Sequence, residues 1–330
     1  MKRREFISLL GGAATPVSLV LAARAQQPGM PVVGILHSAS QAPFERYLTN
    51  FRKGLGEAGY IEGQNVLILQ RWADGHYDRL PELAADLVQR RVDVIAVPGN
   101  TMTALAAKAA SGTIPVVFGI PDDPVKLGLV ASLAHPGGNA TGVNFFAAEL
   151  IAKRLGLMHE LDPRAVRFAV LVNSGDATVA EATATDAQAA ARTLGLQIQV
   201  IKASTADEID TAFEAMMRQR PDALFVAPGG FFNSRRVQLA MLAARAAIPA
   251  SYSVRDYAEA GGLMSYGTNI GDMFRQVGAY AGRVLRGEKP ANLPVLQPTT
   301  FEFVINLRTA KALSLDIPAT VLARADEVID

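Results

Sequence analysis

Short apolar runs alternate with longer stretches of helical periodicity along most of the chain. Residues 32–36 form a continuous apolar run, which is typical of a strand covered on both faces. Apolar residues then recur at helical spacing over 44–58, and Gly59 is placed to end that helix. Strands that alternate with helices in this way predict a parallel α/β sheet.

The alternation runs to residue 144 and then begins again. In the first series we predict strands at 65–70, 94–97, 114–118 and 141–144, and helices at 80–90, 101–110 and 125–133. Residues 168–172 start the second series, with further strands predicted at 198–201, 224–226, 250–252 and 263–265. The predicted fold class is α/β, with two similar lobes that are each a doubly wound parallel sheet.

Three elements remain after the two series are complete. They are an amphipathic helix at 273–285, a proline-rich segment at 292–298 and a strand at 301–305. A chain that returns between finished lobes forms a multi-crossing hinge, and such a hinge leaves a cleft that can close on a ligand. We therefore predict a first lobe of residues 30–144 plus 268–292, and a second lobe of residues 145–267 plus 293–330.

The first 25 residues have a different character. Arg3 and Arg4 precede a short, mildly apolar run, and Ala23 and Ala25 supply the small residues that a signal peptidase requires. This pattern predicts a twin-arginine signal peptide cleaved after Ala25, and hence a mature protein in the periplasm. The alternative is an N-terminal helix or membrane anchor, but the run contains glycine and proline and is shorter than the roughly 20 apolar residues of a membrane span.

Composition narrows the class of partner. The chain has 32 basic and 31 acidic residues, and loss of the leader would leave a formal charge of about −2. A nearly neutral surface argues against nucleic acid or anionic lipid as the main partner. With no cysteine, the chain has no disulfide, no thiol nucleophile and no site for a thioether lipid, so we expect no direct insertion of the mature chain in the membrane.

Catalytic and cofactor signatures are missing from the sequence. The four histidines do not pair at metal-ligand spacing, and carboxylates do not cluster with them, so we predict no metal site. The turn after the first strand, residues 37–40, has no glycine that would admit a dinucleotide pyrophosphate, so we predict no cofactor. The chain is therefore predicted to bind a ligand rather than to act as an enzyme.

Small polar and aromatic residues follow the predicted strands. Ligands of open α/β sheets bind at the carboxyl ends of strands, so these residues are the candidate contacts. The candidates are Ser38, Ser40, Trp72, Asn100, Thr101, Asp123, Asn144 and Phe145 in the first lobe, and Asn173, Gly229, Tyr252 and Tyr266 in the second.

Several candidates have two interpretations. Asn100 and Thr101 open a helix whose backbone N–H groups are suited to a ligand carboxylate. Asp123 either pairs with a ligand ammonium group or caps the helix that follows. Trp72 either stacks on a ligand ring or packs at the sheet edge, and Phe145 either belongs to the hinge or forms a wall of the cleft.

Six runs of the sequence resemble one family. They are FRKGLGEAGY at 51–60, IPVVF at 114–118, DPVKLGLV at 123–130, PGGNATGV at 136–143, GGLMSYG at 261–267 and ARADEVI at 323–329. With these runs the chain resembles ABC transporter substrate-binding proteins of the tryptophan-binding type, which have the type I periplasmic binding fold. The resemblance covers nearly all of the chain after the predicted leader.

The resemblance implies a receptor for a small-molecule solute. Such a receptor, expected to be a monomer, delivers its solute to an ABC permease and the permease's ATPase. The leading expectation is an amino acid or another aromatic or carboxylate compound. Ligand contacts in the family map onto Ser38, Ser40, Asn100, Thr101 and Asp123, although relatives often have Thr-Pro where this chain continues after Asn100.

Two other classes of function stay open at this point. A periplasmic enzyme on the same scaffold would need an acid or base in the cleft, and the pair Asp122 and Asp123 is the candidate. A sensing partner of a membrane receptor would use the same fold and the same cleft, with ligand binding reported rather than followed by transport.

Overall fold

The computed structural model describes residues 29–145, 149–298 and 301–330. The predicted leader lies outside these described residues. Within them the chain forms two α/β lobes, each built on its own sheet. In this part of the chain every helix is too short or too polar to span a bilayer.

The first sheet has five parallel strands in the order β2-β1-β3-β4-β5. The strands are β1 (Val32–His37), β2 (Leu67–Trp72), β3 (Val94–Pro98), β4 (Val116–Ile120) and β5 (Ala140–Asn144). The three strands β3, β4 and β5 are buried along their whole length. Burial on both faces explains why β3 and β4 appear in the sequence as apolar runs without polar alternation, whereas β5 also contains the buried polar residues Thr141 and Asn144.

The second sheet has seven strands in the order β12-β11-β10-β9-β8-β6-β7. They are β6 (Arg167–Val172), β7 (Gln197–Lys202), β8 (Ala223–Val226), β9 (Ala250–Tyr252), β10 (Met264–Thr268), β11 (Phe301–Asn306) and β12 (Glu327–Ile329). Strands β6 to β10 are parallel, as predicted, but β11 is antiparallel to β10. Between β10 and β11 the chain leaves the second lobe, forms α10 on the first lobe and then returns. Within the described residues no helix therefore packs on the second sheet between these two strands, as a parallel crossover would require.

Twelve α-helices occur in the described residues. They are α1 (Glu45–Glu57), α2 (Leu80–Gln89), α3 (Thr101–Ala110), α4 (Glu149–Leu161), α5 (Ala177–Leu194), α6 (Ala206–Gln219), α7 (Gly230–Ser234), α8 (Arg236–Arg245), α9 (Arg255–Glu259), α10 (Ile270–Leu285), α11 (Leu307–Ala312) and α12 (Ala319–Leu322). In the first lobe α1 and α10 cover one face of the sheet, and α2 and α3 cover the other.

Helices α1 and α10 approach each other unusually closely. A Cβ atom on Gly54 of α1 would lie 1.8 Å from the carbonyl oxygen of Arg275, and one on Gly278 of α10 would lie 2.1 Å from that of Phe51. Only glycine allows the two backbones to pack at this distance. The contact fixes α10 to the first lobe, although α10 directly follows a strand of the second.

The chain passes between the lobes three times. It leaves the first lobe between Phe145 and α4, returns between β10 and α10, and leaves again between Pro298 and β11. Residues 293–296 differ from the predicted division, because they lie on the first lobe. There the N–H of Leu296 donates to the carbonyl oxygen of Gly142 at 2.8 Å. The segment therefore runs parallel to β5 along the outer edge of the first sheet.

The helix predicted at 125–133 is not formed. The segment folds into turns in which the N–H groups of Leu129 and Val130 both donate to the oxygen of Pro124. Gly128 has a φ of 67°, a left-handed conformation that interrupts a helix. The apolar residues of segment 125–133 pack against the core of the first lobe, as those of a helix would. Apolar spacing alone therefore did not distinguish these turns from a helix.

Candidate functional site

The two lobes face each other along a cleft at the carboxyl ends of their parallel strands. Across it Asn173 donates to the hydroxyl of Tyr77 at 3.3 Å. Arg46 of α1 forms ion pairs with Glu259 at 3.0 Å and with the buried Asp256, both on α9. The described structure therefore has its lobes in contact, with the cleft enclosed between them.

One part of the cleft, the apolar chamber, has a volume of about 620 Å³ including its mouth. Both lobes contribute to its walls. The apolar side chains around it are Phe44, Phe145, Leu150, Val254, Tyr266, Ile270, Met273 and Phe274. Aromatic walls on two sides suit a flat apolar group, because stacked or tilted rings add to the free energy gained from burial.

His37 ends β1 and lines the apolar chamber. Its Nδ1 accepts a hydrogen bond from the N–H of Ala39 at 3.0 Å, so the neutral ring carries its proton on Nε2. Complete burial lowers the pKa of His37 to about 3, so the ring is neutral at pH 7. Nε2 lies beside Gly99, where a Cβ would come within 3.4 Å of it, and Gly99 also has a φ of 116°.

Arg154 on α4 lines the same chamber from the second lobe, and only 1% of its surface is exposed. Its Nη2 donates to the carbonyl oxygens of Val226 at 2.8 Å and Ser251 at 2.7 Å. Its guanidinium carbon lies 3.9 Å from the centre of the Phe225 ring. Burial lowers the pKa of Arg154 to about 9, which still leaves it cationic at neutral pH.

Sequence reasoning missed Arg154, although a signal was present. It occupies a position of the apolar stripe of α4, between the buried Ile151 and the buried Leu155 and Met158. A charged residue on the buried face of an amphipathic helix is rare unless it is paired or functional. This exception to the apolar periodicity is the signal by which the sequence could have indicated Arg154 as a candidate.

A second part of the cleft, the acidic chamber, adjoins the first at Gly99, Pro121, Pro228 and Gly229. Asp122 of the first lobe and Asp176 of the second both line it. Burial raises the pKa of both carboxyl groups, and the charge of Asp122 raises that of Asp176 further. No Lys, Arg or His is among the described residues that line this chamber.

Two like charges that face each other in a buried space lower the stability of the closed cleft. Because both pKa values are raised in the folded protein, this cost is present when the carboxyl groups are ionised and disappears as the pH falls through those values. A cationic group placed between the two carboxylates would offset the same cost. The acidic chamber is therefore suited to an ammonium group.

The start of α3 does not favour the carboxylate that the sequence predicted there. The side-chain oxygen of Asn100 accepts from the N–H of Thr103 at 3.1 Å and so caps the helix. The hydroxyl of Thr101 donates to Asp122 at 2.5 Å. A ligand carboxylate at this helix start would lie against the carboxylate of Asp122, whereas an ammonium group would be attracted to it.

The remaining candidate residues differ in which of the two chambers they line. Phe145, Gly229 and Tyr266 line the apolar chamber, and Gly229 also lines the acidic chamber together with Asn173. Asn144 is buried and donates to the carbonyl oxygen of Asp122 at 2.5 Å, so it positions the turn that presents that carboxylate.

Two serines lie at the cleft mouth rather than in either chamber. Ser38 and Ser40 line a groove between the lobes. The hydroxyl of Ser38 is buried, and a Cβ on Gly230 of the other lobe would come within 3.3 Å of it. Ser38 therefore lies against the opposite lobe, and both serines lie outside the two chambers.

Two aromatic candidates pack in the protein. Trp72 lies with its ring 4.9 Å from that of His37, and its Nε1 donates to Gln70 at 3.1 Å. Tyr252 is fully buried and stacks on Tyr257 at 4.3 Å. Neither residue lines a chamber, so their aromatic character serves packing, which was one of the two interpretations of Trp72.

Asp123 also lies outside the chambers, in contrast to its neighbour Asp122. Its side chain is 43% exposed, and its Oδ1 accepts from the N–H groups of Val125 at 2.9 Å and Lys126 at 3.3 Å. This geometry is that of a capping aspartate at a turn. Of the two adjacent acids, the cleft residue is Asp122.

Comparisons with known proteins agree with this architecture. A family model described as ABC transporter substrate binding protein matches residues 32–329. A tyrosine-binding protein of Clostridioides difficile is 26% identical over 283 residues, which cover 86% of this chain and 81% of that protein.

Two solved structures superpose on the chain over most of its length. An ABC domain of Streptococcus pneumoniae in complex with L-Trp has a TM-score of 0.81 and 26% identity, covering 91% of this chain and 99% of that one. A conserved domain protein of Vibrio cholerae has a TM-score of 0.83 and 25% identity, with the same coverage.

Proposed function

Because the chain belongs to the ABC transporter substrate-binding protein family, we propose that its solute is an aromatic amino acid held between the two lobes. The observation that carries the proposal is the junction of two unlike chambers, one walled by aromatic rings and the other by two carboxylates. An aromatic amino acid has an apolar ring and an ammonium group, and the two chambers offer a place for each.

The apolar chamber favours the ring energetically. Burial of an aromatic side chain removes about 150–250 Å² of surface from water, which at about 25 cal/mol per Å² is worth roughly 4–6 kcal/mol before the costs of association. Phe44 and Phe274 wall the chamber from the first lobe, and Tyr266 walls it from the second. The related proteins from C. difficile and S. pneumoniae, described with tyrosine and L-Trp, support the same class of solute.

Ligand binding and transport are coupled through closure. A solute that contacts both lobes stabilises the closed arrangement relative to the open one by the difference between its affinities for the two. The closed surface is then the form presented to an ABC permease and its ATPase. The enzyme alternative required an acid or base in the cleft and had the pair Asp122 and Asp123 as its candidates. Of the two, only Asp122 lies in the cleft, and Asp123 lies on an exposed turn.

A thermal-shift screen followed by calorimetry tests the class of solute. We expect L-tryptophan, L-tyrosine or L-phenylalanine to raise the melting temperature of residues 26–330 by several degrees, since a ligand at about 100 times its Kd adds roughly 2.7 kcal/mol. Aliphatic amino acids, sugars and polyamines are the controls. A shift confined to one of those controls, or no shift by a folded protein with any aromatic amino acid, would contradict the proposal.

The two adjacent aspartates provide a matched pair of variants. We expect Asp122→Asn to weaken binding of the most strongly shifting amino acid roughly tenfold or more, because it removes a charge-assisted contact to the ammonium group. Asp123→Asn keeps the turn acceptor and is expected to change the Kd by less than about twofold. Isothermal titration calorimetry measures the Kd of both variants. Equal losses of affinity in the two would contradict the placement of the ammonium group beside Asp122.

Export is the second part of the proposal. The paired arginines at 3 and 4 and the small residues before position 26 support a twin-arginine leader that is removed after Ala25. The receptor then acts in the periplasm, where solute arrives before it meets the permease.

A further inference from the structure

Two buried side chains direct hydrogen-bond donors into the apolar chamber, one from each lobe. Arg154 belongs to α4 of the second lobe and His37 ends β1 of the first. They are 1% and 2% exposed, and both line the chamber. Neither polar group is expected among aromatic walls unless it has a partner there.

The charge of Arg154 has no counter-ion in the described structure. Among the described residues its Nη2 and Nε contact only backbone and hydroxyl oxygens of residues 226 and 251, and Nη1 makes no hydrogen bond. No carboxylate of the described residues lies within ion-pair distance, and no Asp or Glu lines the apolar chamber. A buried cation of this kind is stabilised by an anion from outside the chain.

His37 adds a neutral donor. Its Nδ1 is occupied by the N–H of Ala39, so the proton on Nε2 is free to bond an acceptor in the cleft. One guanidinium and one imidazole N–H match the two oxygens of a carboxylate. A phosphate or sulfate has more oxygens to satisfy than these walls supply, because the remaining surface is mainly apolar.

We propose that Arg154 and His37 form a carboxylate subsite that spans the two lobes, so that the receptor selects ligands with a free carboxylate. The inference rests on the proposed function and adds to it the group that the apolar chamber recognises besides the ring. A carboxylate held by both residues links β1 of one lobe to α4 of the other. It therefore also stabilises the closed arrangement.

The first test varies the ligand and leaves the protein intact. L-tryptophan and L-tyrosine are compared with L-tryptophanamide, L-tyrosinamide and tryptamine by isothermal titration of residues 26–330. The amides keep the ring and the ammonium group but lose the carboxylate charge. We expect them to bind at least 100-fold more weakly than the acids, and tryptamine to bind no better than the amides.

The second test separates recognition from a structural role. We expect Arg154→Gln to bind acid and amide with similar, weak affinity, and Arg154→Lys to retain part of the discrimination. His37→Gln, which keeps a donor near the position of Nε2, is expected to retain more acid binding than His37→Phe. If Arg154 only supports the strand ends, Arg154→Gln will lower the melting temperature while the ratio of acid to amide affinity stays unchanged, which would overturn the inference.

The outcomes also distinguish this inference from the proposed function. Equal binding of acid and amide by the wild-type protein overturns the carboxylate subsite and leaves an aromatic amine receptor standing. If no aromatic ligand binds, whether acid or amide, the proposed solute class is overturned together with the subsite.

Discussion

Replacing Gly54 with alanine is expected to destabilise the first lobe by about 3 kcal/mol or more. The added methyl group would lie 1.8 Å from the backbone oxygen of Arg275, and no side-chain rotation can relieve a clash with backbone. Helices α1 and α10 must therefore move apart. This loosens the whole interface between them, which also includes the close approach of Gly278 to the backbone of Phe51.

Loss of the contact between α1 and α10 is also expected to change the shape of the cleft. The first turns of α10 carry Ile270, Met273 and Phe274 into the wall of the apolar chamber, so a displaced α10 enlarges that space. We expect the Gly54→Ala variant to bind its ligand more weakly as well as to unfold earlier in urea.

Gly56, two residues further along α1, is the matched control. A Cβ there has nothing within 4 Å, so Gly56→Ala is expected to stabilise the helix by up to about 1 kcal/mol. Urea denaturation of both variants gives the two free energies. A Gly54→Ala protein as stable as Gly56→Ala would show that α1 and α10 do not depend on this close approach.

Replacing both Arg3 and Arg4 with lysine is expected to abolish export, with roughly a tenfold or greater loss of periplasmic protein. The substitution keeps the positive charge and the apolar run, which are the features that a signal peptide of the general secretory route needs. Only recognition of the arginine pair is removed.

Cell fractionation with immunoblotting measures the result, and Lys2→Arg is the control that leaves the pair intact. In the parent strain the mature protein is expected to begin at Gln26, which mass spectrometry of the periplasmic form checks. Undiminished export of the double-lysine variant would contradict a twin-arginine route.

Much of the fold could be predicted because its physical cause is local. A strand such as β1 is buried on both faces, and so it appears as an uninterrupted apolar run. The start of α6 is also local in origin, because the hydroxyl of Thr205 accepts from the N–H of Glu208 at 3.2 Å and so caps the first turn. The direction of β11 could not be predicted in this way, because it depends on where the chain crosses between lobes.

The site was less accessible from sequence because it depends on orientation. Asp122 and Asp123 are chemically identical neighbours, and only the backbone of the turn decides which carboxylate enters the cleft. Tyr252 ends β9 and Tyr266 lies in the middle of the neighbouring β10, yet the first side chain is in the core and the second lines the apolar chamber. The strand ends predicted the edge at which the cleft lies, but not which side chains line it.

The position of Trp72 gives the protein a built-in optical reporter. It is the only tryptophan in the sequence, and its indole lies against the ring of His37 at the edge of the cleft. All indole fluorescence of the apo-protein therefore originates beside one candidate ligand contact, without a signal from a distant site. Titration with tyrosine or phenylalanine can be followed in real time by stopped-flow emission, so association and dissociation rates are measurable without a label.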